Sequence, residues 1–332
     1  MIDKLLNKLG IETQAEKRRK DAIRLFFSGF SMGAADIVPG VSGGTVAFIL
    51  GIYEELIYSI KVATSDAAKL LLKGKVTEAL KSIPFQFLLP LGLGILSAVF
   101  TLAKLLDFLL THHPVQIWSF FFGLVLISIF VVAKRIKKWE YTNFAALILG
   151  AVAAYLIVGL VPTQTPYTPL AVFLSGMVAI MAMILPGISG SFLLLIMGKY
   201  QQILGAVNNK EVGMLLVFVA GAIVGLAVFS QVLNWLYTKH HDLLVATLIG
   251  FMSGSLRKVW PWKETLQTVL DSHGKEVPIV QINTLPTVFN AEVLVSLMLF
   301  MAAIIIILYI EKLNLTKEQT GVIKEVDKRS HS

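Results

Sequence analysis

Pro39-Gly40-Val41-Ser42-Gly43-Gly44-Thr45 interrupts a long apolar stretch near the start of the chain, and Pro186-Gly187-Ile188-Ser189-Gly190-Ser191 interrupts another in its second half. Proline removes a backbone donor and kinks or breaks a helix interior, and a glycine directly after it tolerates the turn that follows. Around the two copies the match extends in register: Ser28 with Ser175, Gly29 with Gly176, Ala35 with Ala182, Ile37 with Ile184, Ile49 with Ile196, Gly51 with Gly198 and Tyr53 with Tyr200. The chain therefore reads as an internal duplication built around two helix breaks.

Working outward, 56% of the 332 residues are hydrophobic and 15% are charged, a balance too apolar for a water-soluble domain of this length. The composition predicts an all-α polytopic membrane protein. Apolar runs at 85–110, 115–133, 144–161, 214–237 and 293–310 approach the roughly 20 residues that cross a bilayer as helix, and a shorter run at 243–256 spans with help from its flanks. No cleavable signal peptide is visible, because the first apolar run follows a polar, lysine-rich segment. In that segment Ile2, Leu5, Leu6 and Leu9 recur at helical spacing, which fits either a short surface helix or a basic tail.

Charge decides how the segment 24–57 sits. Lys17, Arg18, Arg19, Lys20 and Arg24 lie on one side of it and Lys61, Lys69, Lys73, Lys75 and Lys81 on the other; such excesses mark the cytoplasmic face. With both ends on one side the segment is re-entrant, and its broken tip must be sheltered by protein or by a water-filled cavity. Following the spans onward places the basic loop 134–138 inside, the loop 162–169 outside and a second re-entrant hairpin, 170–204, entering from outside. The expected organisation is a basic segment 1–21, a first repeat 22–161, a second repeat 162–310 and a cytoplasmic tail 311–332. Each repeat holds one hairpin and three crossings, and the odd number turns the second repeat upside down relative to the first. Arg257, Lys258, Lys263 and Lys275 oppose this, since they fall in a loop placed outside; a second hairpin that crossed fully would put that loop inside and the C-terminus outside.

Cysteine is absent, so disulfides and thiolate chemistry are excluded. The net charge of +8 lies in tails and short loops, which fits anionic lipid better than nucleic acid. The histidine pairs at 112–113 and 240–241 lack further ligands at metal spacing, and no cofactor motif is present.

The tips carry the chemistry. Successive small residues at the start of a half-helix let an anion's oxygens approach unpaired N–H groups, with Ser42, Gly43, Gly44 and Thr45 at one tip and Ser189, Gly190 and Ser191 at the other. The same residues would serve equally for tight turns and close helix packing. Asp36, matched by Met183 in the second copy, is an intramembrane carboxylate suited to binding H+ or Na+, or to capping the tip's backbone. Arg24 and Arg257 could each grip a phosphate in bidentate fashion or anchor the chain at the interface.

Taken together, Gly33-Ala34-Ala35-Asp36-Ile37-Val38-Pro39-Gly40-Val41-Ser42-Gly43-Gly44-Thr45, then Leu185-Pro186-Gly187-Ile188-Ser189-Gly190-Ser191-Phe192, and Gly254-Ser255-Leu256 leading to Trp260-Pro261-Trp262 resemble the bacterial polyprenyl-phosphate transporter family over nearly the whole chain. The resemblance implies a plasma-membrane flippase, not an enzyme, that returns undecaprenyl phosphate across the bilayer for reuse in cell-wall synthesis. A rival from another class is a membrane phosphatase acting on undecaprenyl pyrophosphate, whose Pro-Gly-x-Ser-Arg-Ser motif is similar. Here Gly43 and Gly190 stand at the arginine position. A third alternative is a carrier of a small soluble anion.

Overall fold

The computed structural model describes residues 14–38, 40–160, 163, 165–270 and 276–330. Helix α1 (Gln14–Ile37) runs into the first break, and a short α2 (Gly43–Ile49) follows. Next come α3 (Tyr53–Lys61), which continues through one π-helical turn into α4 (Ala67–Leu72), and α5 (Val76–Ser82). Three long helices, α6 (Phe85–His112), α7 (Pro114–Ala133) and α8 (Tyr141–Ile157), complete the first half. The second half repeats the order with α9 (Pro169–Ile184), α10 (Gly190–Ile196), α11 (Tyr200–Asn208), α12 (Val212–Lys239), α13 (His241–Val259) and α14 (Ala291–Ser330). Among these, α6, α7, α12 and the stretch Ala291–Lys312 of α14 are each long and apolar enough to cross a membrane. The chain is a mostly helical, multi-pass membrane protein.

The breaks have local causes. Leu185, immediately before Pro186, is extended (φ −72°, ψ 128°), as a residue crowded by the following proline ring prefers, and α9 ends there. Gly40 (φ 90°) and Gly187 (φ 87°) then turn the chain through the left-handed region closed to most side chains.

Helix pairing follows the same duplication. Helix α1 packs on α6 and α9 packs on α12; in both pairs glycines bring backbone against backbone. Gly94 lies against the carbonyl of Phe26 and Gly221 against that of Phe173, so close that no Cβ fits at either position. Helix α7 pairs with α14, where Gly123 meets the Phe300 backbone, and α8 pairs with α13, where Gly250 meets that of Leu147. At 17 residues α8 is short, and α13 carries Asp242, Arg257 and Lys258 at its ends. Packing of α8 on α13 covers part of both, and Val245, Ala246, Leu248, Ile249 and Met252 of α13 belong to the core.

The segments that hold the two breaks touch opposite ends of α12. Glu54, at the start of α3, lines one pocket with Asn234 and Tyr237 near the C-terminus of α12. Tyr167, just before α9, donates to Glu211 at the N-terminus of α12 (2.9 Å). Lys199, at the start of α11, ties this second segment together: buried, it donates to the carbonyls of Thr165 (3.2 Å) and Pro166 and to the Gln202 side chain (2.7 Å).

Three features depart from the sequence reading. The segment between α13 and α14 is not merely a loop, because β1 (Lys263–Leu270) and β2 (Glu276–Asn283) form an antiparallel ribbon with an irregular register near Thr265 and Gln267. The fold is thus not purely α: Thr265, Val269, Val277 and Val280 favour strand in a segment too polar to enter the bilayer. Helix α1 begins at Gln14, inside the expected basic segment, and α14 stays helical to Ser330, well past the end of its apolar run. The apolar positions Ile2 to Leu9 lie outside the described residues.

Candidate functional site

Ser42 caps α2. Its backbone is extended (φ −125°, ψ 132°), and its Oγ accepts from the Gly44 N–H at 3.1 Å. The same hydroxyl directs its proton to the second tip, where the carbonyls of Leu185 and Met183 lie at 3.0 and 3.2 Å. In return the Gly187 N–H donates to Thr45 Oγ1 at 3.1 Å, and Thr45 is completely buried. Gly44 makes this approach possible, since a Cβ there would sit 2.5 Å from the Ile184 carbonyl oxygen. The two breaks, far apart in sequence, therefore meet through reciprocal hydrogen bonds.

Donors at the two tips are used differently. Asp36 Oδ1 accepts from the Gly43 N–H at 2.7 Å, so the first half-helix carries its own carboxylate at its positive end. The second tip has Met183 at the matching position, and its polar side chains are the hydroxyls of Ser189 and Ser191, 2.9 Å apart.

Helix α13 forms the wall behind both tips. A Cβ on Gly187 would lie 2.8 Å from the Met252 Cα, and one on Gly40 would lie 2.7 Å from the Lys258 Cγ. Six residues separate Met252 from Lys258, about 9 Å along the helix. The tips consequently slide past one another rather than abutting end to end.

Beyond Lys258 the site becomes basic and aromatic. The Lys258 Nζ stands 4.5 Å from the centre of the Phe192 ring, just after the second tip, and the Lys263 Nζ stands 4.2 Å from that of Trp118. Lys263 also donates to the Lys258 carbonyl. Trp260 packs edge-on against Phe122, one helical turn after Trp118, and its indole N–H donates to the Thr284 carbonyl at 2.8 Å. Among the described residues no carboxylate lies within ion-pair distance of either lysine. Burial pushes the Lys263 ammonium down to about 7, with the neighbouring Lys258 charge adding to the shift.

The two arginines stand apart from the tips. Arg24 is exposed on α1, where its Nη2 lies 3.5 Å from the Leu50 carbonyl and it lines a pocket of about 770 Å³ with Asp21, Glu55 and Lys81. Arg257 packs its guanidinium 4.4 Å from the Tyr155 ring centre and donates to the Tyr155 carbonyl at 3.3 Å. Sequence reasoning placed Lys258 and Lys263 only in a loop of disputed sidedness. The signal that could have singled them out is their interleaving with Trp260 and Trp262.

Residues 32–277, which include both tips, α13 and both lysines, match the family model described as undecaprenyl phosphate translocase-like. The chain belongs to that family. Two relatives of this translocase-like chain are named polyprenyl-phosphate transporter. The one from Vibrio cholerae is 43% identical over 293 residues, covering 86% of this chain and 95% of the relative. That from Staphylococcus aureus is 34% identical over 254 residues, covering 70% and 84%. No solved structure matches the translocase-like chain.

Proposed function

We propose that this protein is a flippase that returns undecaprenyl phosphate across the bacterial plasma membrane, sheltering the phosphate between the two tips while the isoprenoid tail stays in lipid. The observation that carries the reading is the reciprocal pairing of Ser42 and Thr45 with the 183–187 backbone, which makes the two breaks one polar centre inside an apolar bundle. The names of the relatives supply the substrate class. Hairpin bases at opposite ends of α12, together with the matched pairing of α1 with α6 and α9 with α12, favour re-entrant hairpins in an inverted repeat. Inverted repeats with broken helices are a common transporter architecture, with the substrate bound where the repeats meet. In the conformation described, Gly43, Gly44 and Gly187 spend their N–H groups on Asp36, Ser42 and Thr45. Ser42, Gly43, Gly44, Thr45, Ser189, Gly190 and Ser191 contact phosphate once the tips part. Arg24 and Arg257, at the rims, meet the headgroup on entry and exit.

Packing at the tips weighs against the phosphatase alternative. Phosphoryl transfer needs cationic groups on the transferred oxygens. Gly43 is pressed against the Asp36 carboxylate and the Met32 carbonyl, and Gly190 against the Ala179 carbonyl, so neither position admits the arginine side chain of the phosphatase motif. The test uses purified protein in liposomes holding labelled undecaprenyl phosphate, with leaflet distribution and free phosphate followed together. Redistribution without phosphate release is expected. Release from the pyrophosphate form would make the protein an enzyme, and neither signal would leave a small-anion carrier.

Asp36 is the candidate for H+ or Na+ coupling. Asparagine at this position keeps an oxygen for the Gly43 N–H and removes the charge, so it separates coupling from capping. Transport by Asp36→Asn is expected to proceed without dependence on the proton or sodium gradient. A dependence equal to that of the wild type assigns Asp36 to capping alone.

A further inference from the structure

We infer that Lys258 and Lys263, set on the rings of Phe192 and Trp118, form a seat for the phosphate monoester of the lipid headgroup, adjoining the second tip. This inference rests on the flippase reading and deepens it by assigning the headgroup a defined dianion-binding subsite. Two neighbouring ammoniums under cover oppose each other and desolvation adds to the cost, which is met either by loss of a proton from one of them or by an anion that keeps both charged. Among the described residues none is supplied, since no carboxylate lies within ion-pair distance of either ammonium. A structural role accounts for only part of the arrangement. Lys263 donates to the Lys258 carbonyl near the C-terminus of α13, and this capping needs one cation. Lys258 instead spreads its stem across Gly40 of the first tip and sets its ammonium over a ring that follows the second.

Position adds a second, independent argument. Trp260 and Trp262 flank the seat at the end of α13, and tryptophans favour the depth of lipid headgroups. The rings hold the ammoniums by cation–π attraction, which uses no N–H donor, so Lys258 and the N–H groups that Lys263 does not give to the Lys258 carbonyl can turn to an oxygen. A phosphate arriving at headgroup depth would meet two cations there. It would then lie beside Gly40 and Phe192, which lead to the hydroxyls of Ser189 and Ser191.

The experiment measures binding to full-length protein in nanodiscs of neutral lipid by quenching of tryptophan fluorescence. Undecaprenyl phosphate, undecaprenol and inorganic phosphate are the probes. Wild type is expected to prefer the lipid phosphate to the alcohol. Lys258→Gln and Lys263→Gln should each reduce that preference about tenfold and the double variant about a hundredfold, with alcohol binding retained. In the wild type, undecaprenyl phosphate should also protect Lys258 and Lys263 from amine acylation read by mass spectrometry, a readout that needs no variant to fold. A wild type that prefers the phosphate while the variants and the acylation pattern stay unchanged overturns the lysine seat and leaves the flippase reading standing. A wild type indifferent to the phosphate overturns the flippase reading itself. Displacement of the lipid by equal concentrations of inorganic phosphate would make the ligand a free anion and overturn the assignment to a headgroup.

Discussion

Gly187→Ala is expected to destabilise the folded protein by about 3–5 kcal/mol, enough to lose most of the recoverable protein from the membrane. Two independent costs combine. Gly187 has φ 87°, where an L-residue with a Cβ is strained by about 1–2 kcal/mol. The Cβ would also stand 2.8 Å from the Met252 Cα and 2.9 Å from both the Met252 nitrogen and the Phe251 carbonyl oxygen, all backbone atoms that cannot rotate away. Overpacking of this kind costs about 1–3 kcal/mol or more. Nor can α13 retreat, because its other side meets α8 where Gly250 lies against the Leu147 carbonyl. Two alanine variants separate the contributions. Gly74 shares the positive φ (74°) with nothing within 4 Å, so Gly74→Ala should lose only about 1–2 kcal/mol. Gly205 sits in open space on α11, so Gly205→Ala should gain about 0.5–1 kcal/mol of helix propensity. Thermal unfolding in detergent ranks the three. If Gly187→Ala melted with Gly74→Ala, the second tip would not press on α13.

That contrast also marks what a reader of the sequence can and cannot see. The breaks were legible because proline and glycine act through covalent geometry, which needs no knowledge of neighbours. The principal spans were legible as well, since an apolar run must be hidden from water whatever it packs against. Pairing of Ser42 with the Leu185 carbonyl was not legible, because it depends on how far the two tips overlap along α13. Asp36 could be marked as an intramembrane carboxylate, but its Gly43 partner is set by the turn between them. The arginines were the weakest guide. Charge type told nothing about direction, and Arg257 points to Tyr155 while Lys258, its neighbour in sequence, runs across Gly40. The β-ribbon was hidden because its apolar residues do not alternate, with Val269 beside Leu270 and Ile279 beside Val280.

The second large effect concerns the ties between the tips. Ser42→Ala strips the cap from the Gly44 N–H and the donor from the Leu185 carbonyl, an expected loss of about 2–3 kcal/mol. Thr45→Val keeps the shape of the side chain but leaves the Gly187 N–H without its acceptor, an expected loss of about 1–3 kcal/mol. The double variant should fall short of the sum by about 1 kcal/mol, because once one tie is gone the tips separate and the other no longer forms at full strength. Strict additivity would mean that each bond acts on its own, with no coupling between the two ties. On the flippase reading proposed above, the same ties bear on transport, for a headgroup would reach the tip donors only after they break. Weakening them should therefore favour the parted arrangement, as any change acting on one of two states must. The chain contains no cysteine, so a single Ser191→Cys substitution gives a unique thiol at the second tip. A water-soluble maleimide should label it several-fold faster when Thr45→Val is added. Equal labelling rates would show that the reciprocal bonds stabilise the fold without governing access to its centre.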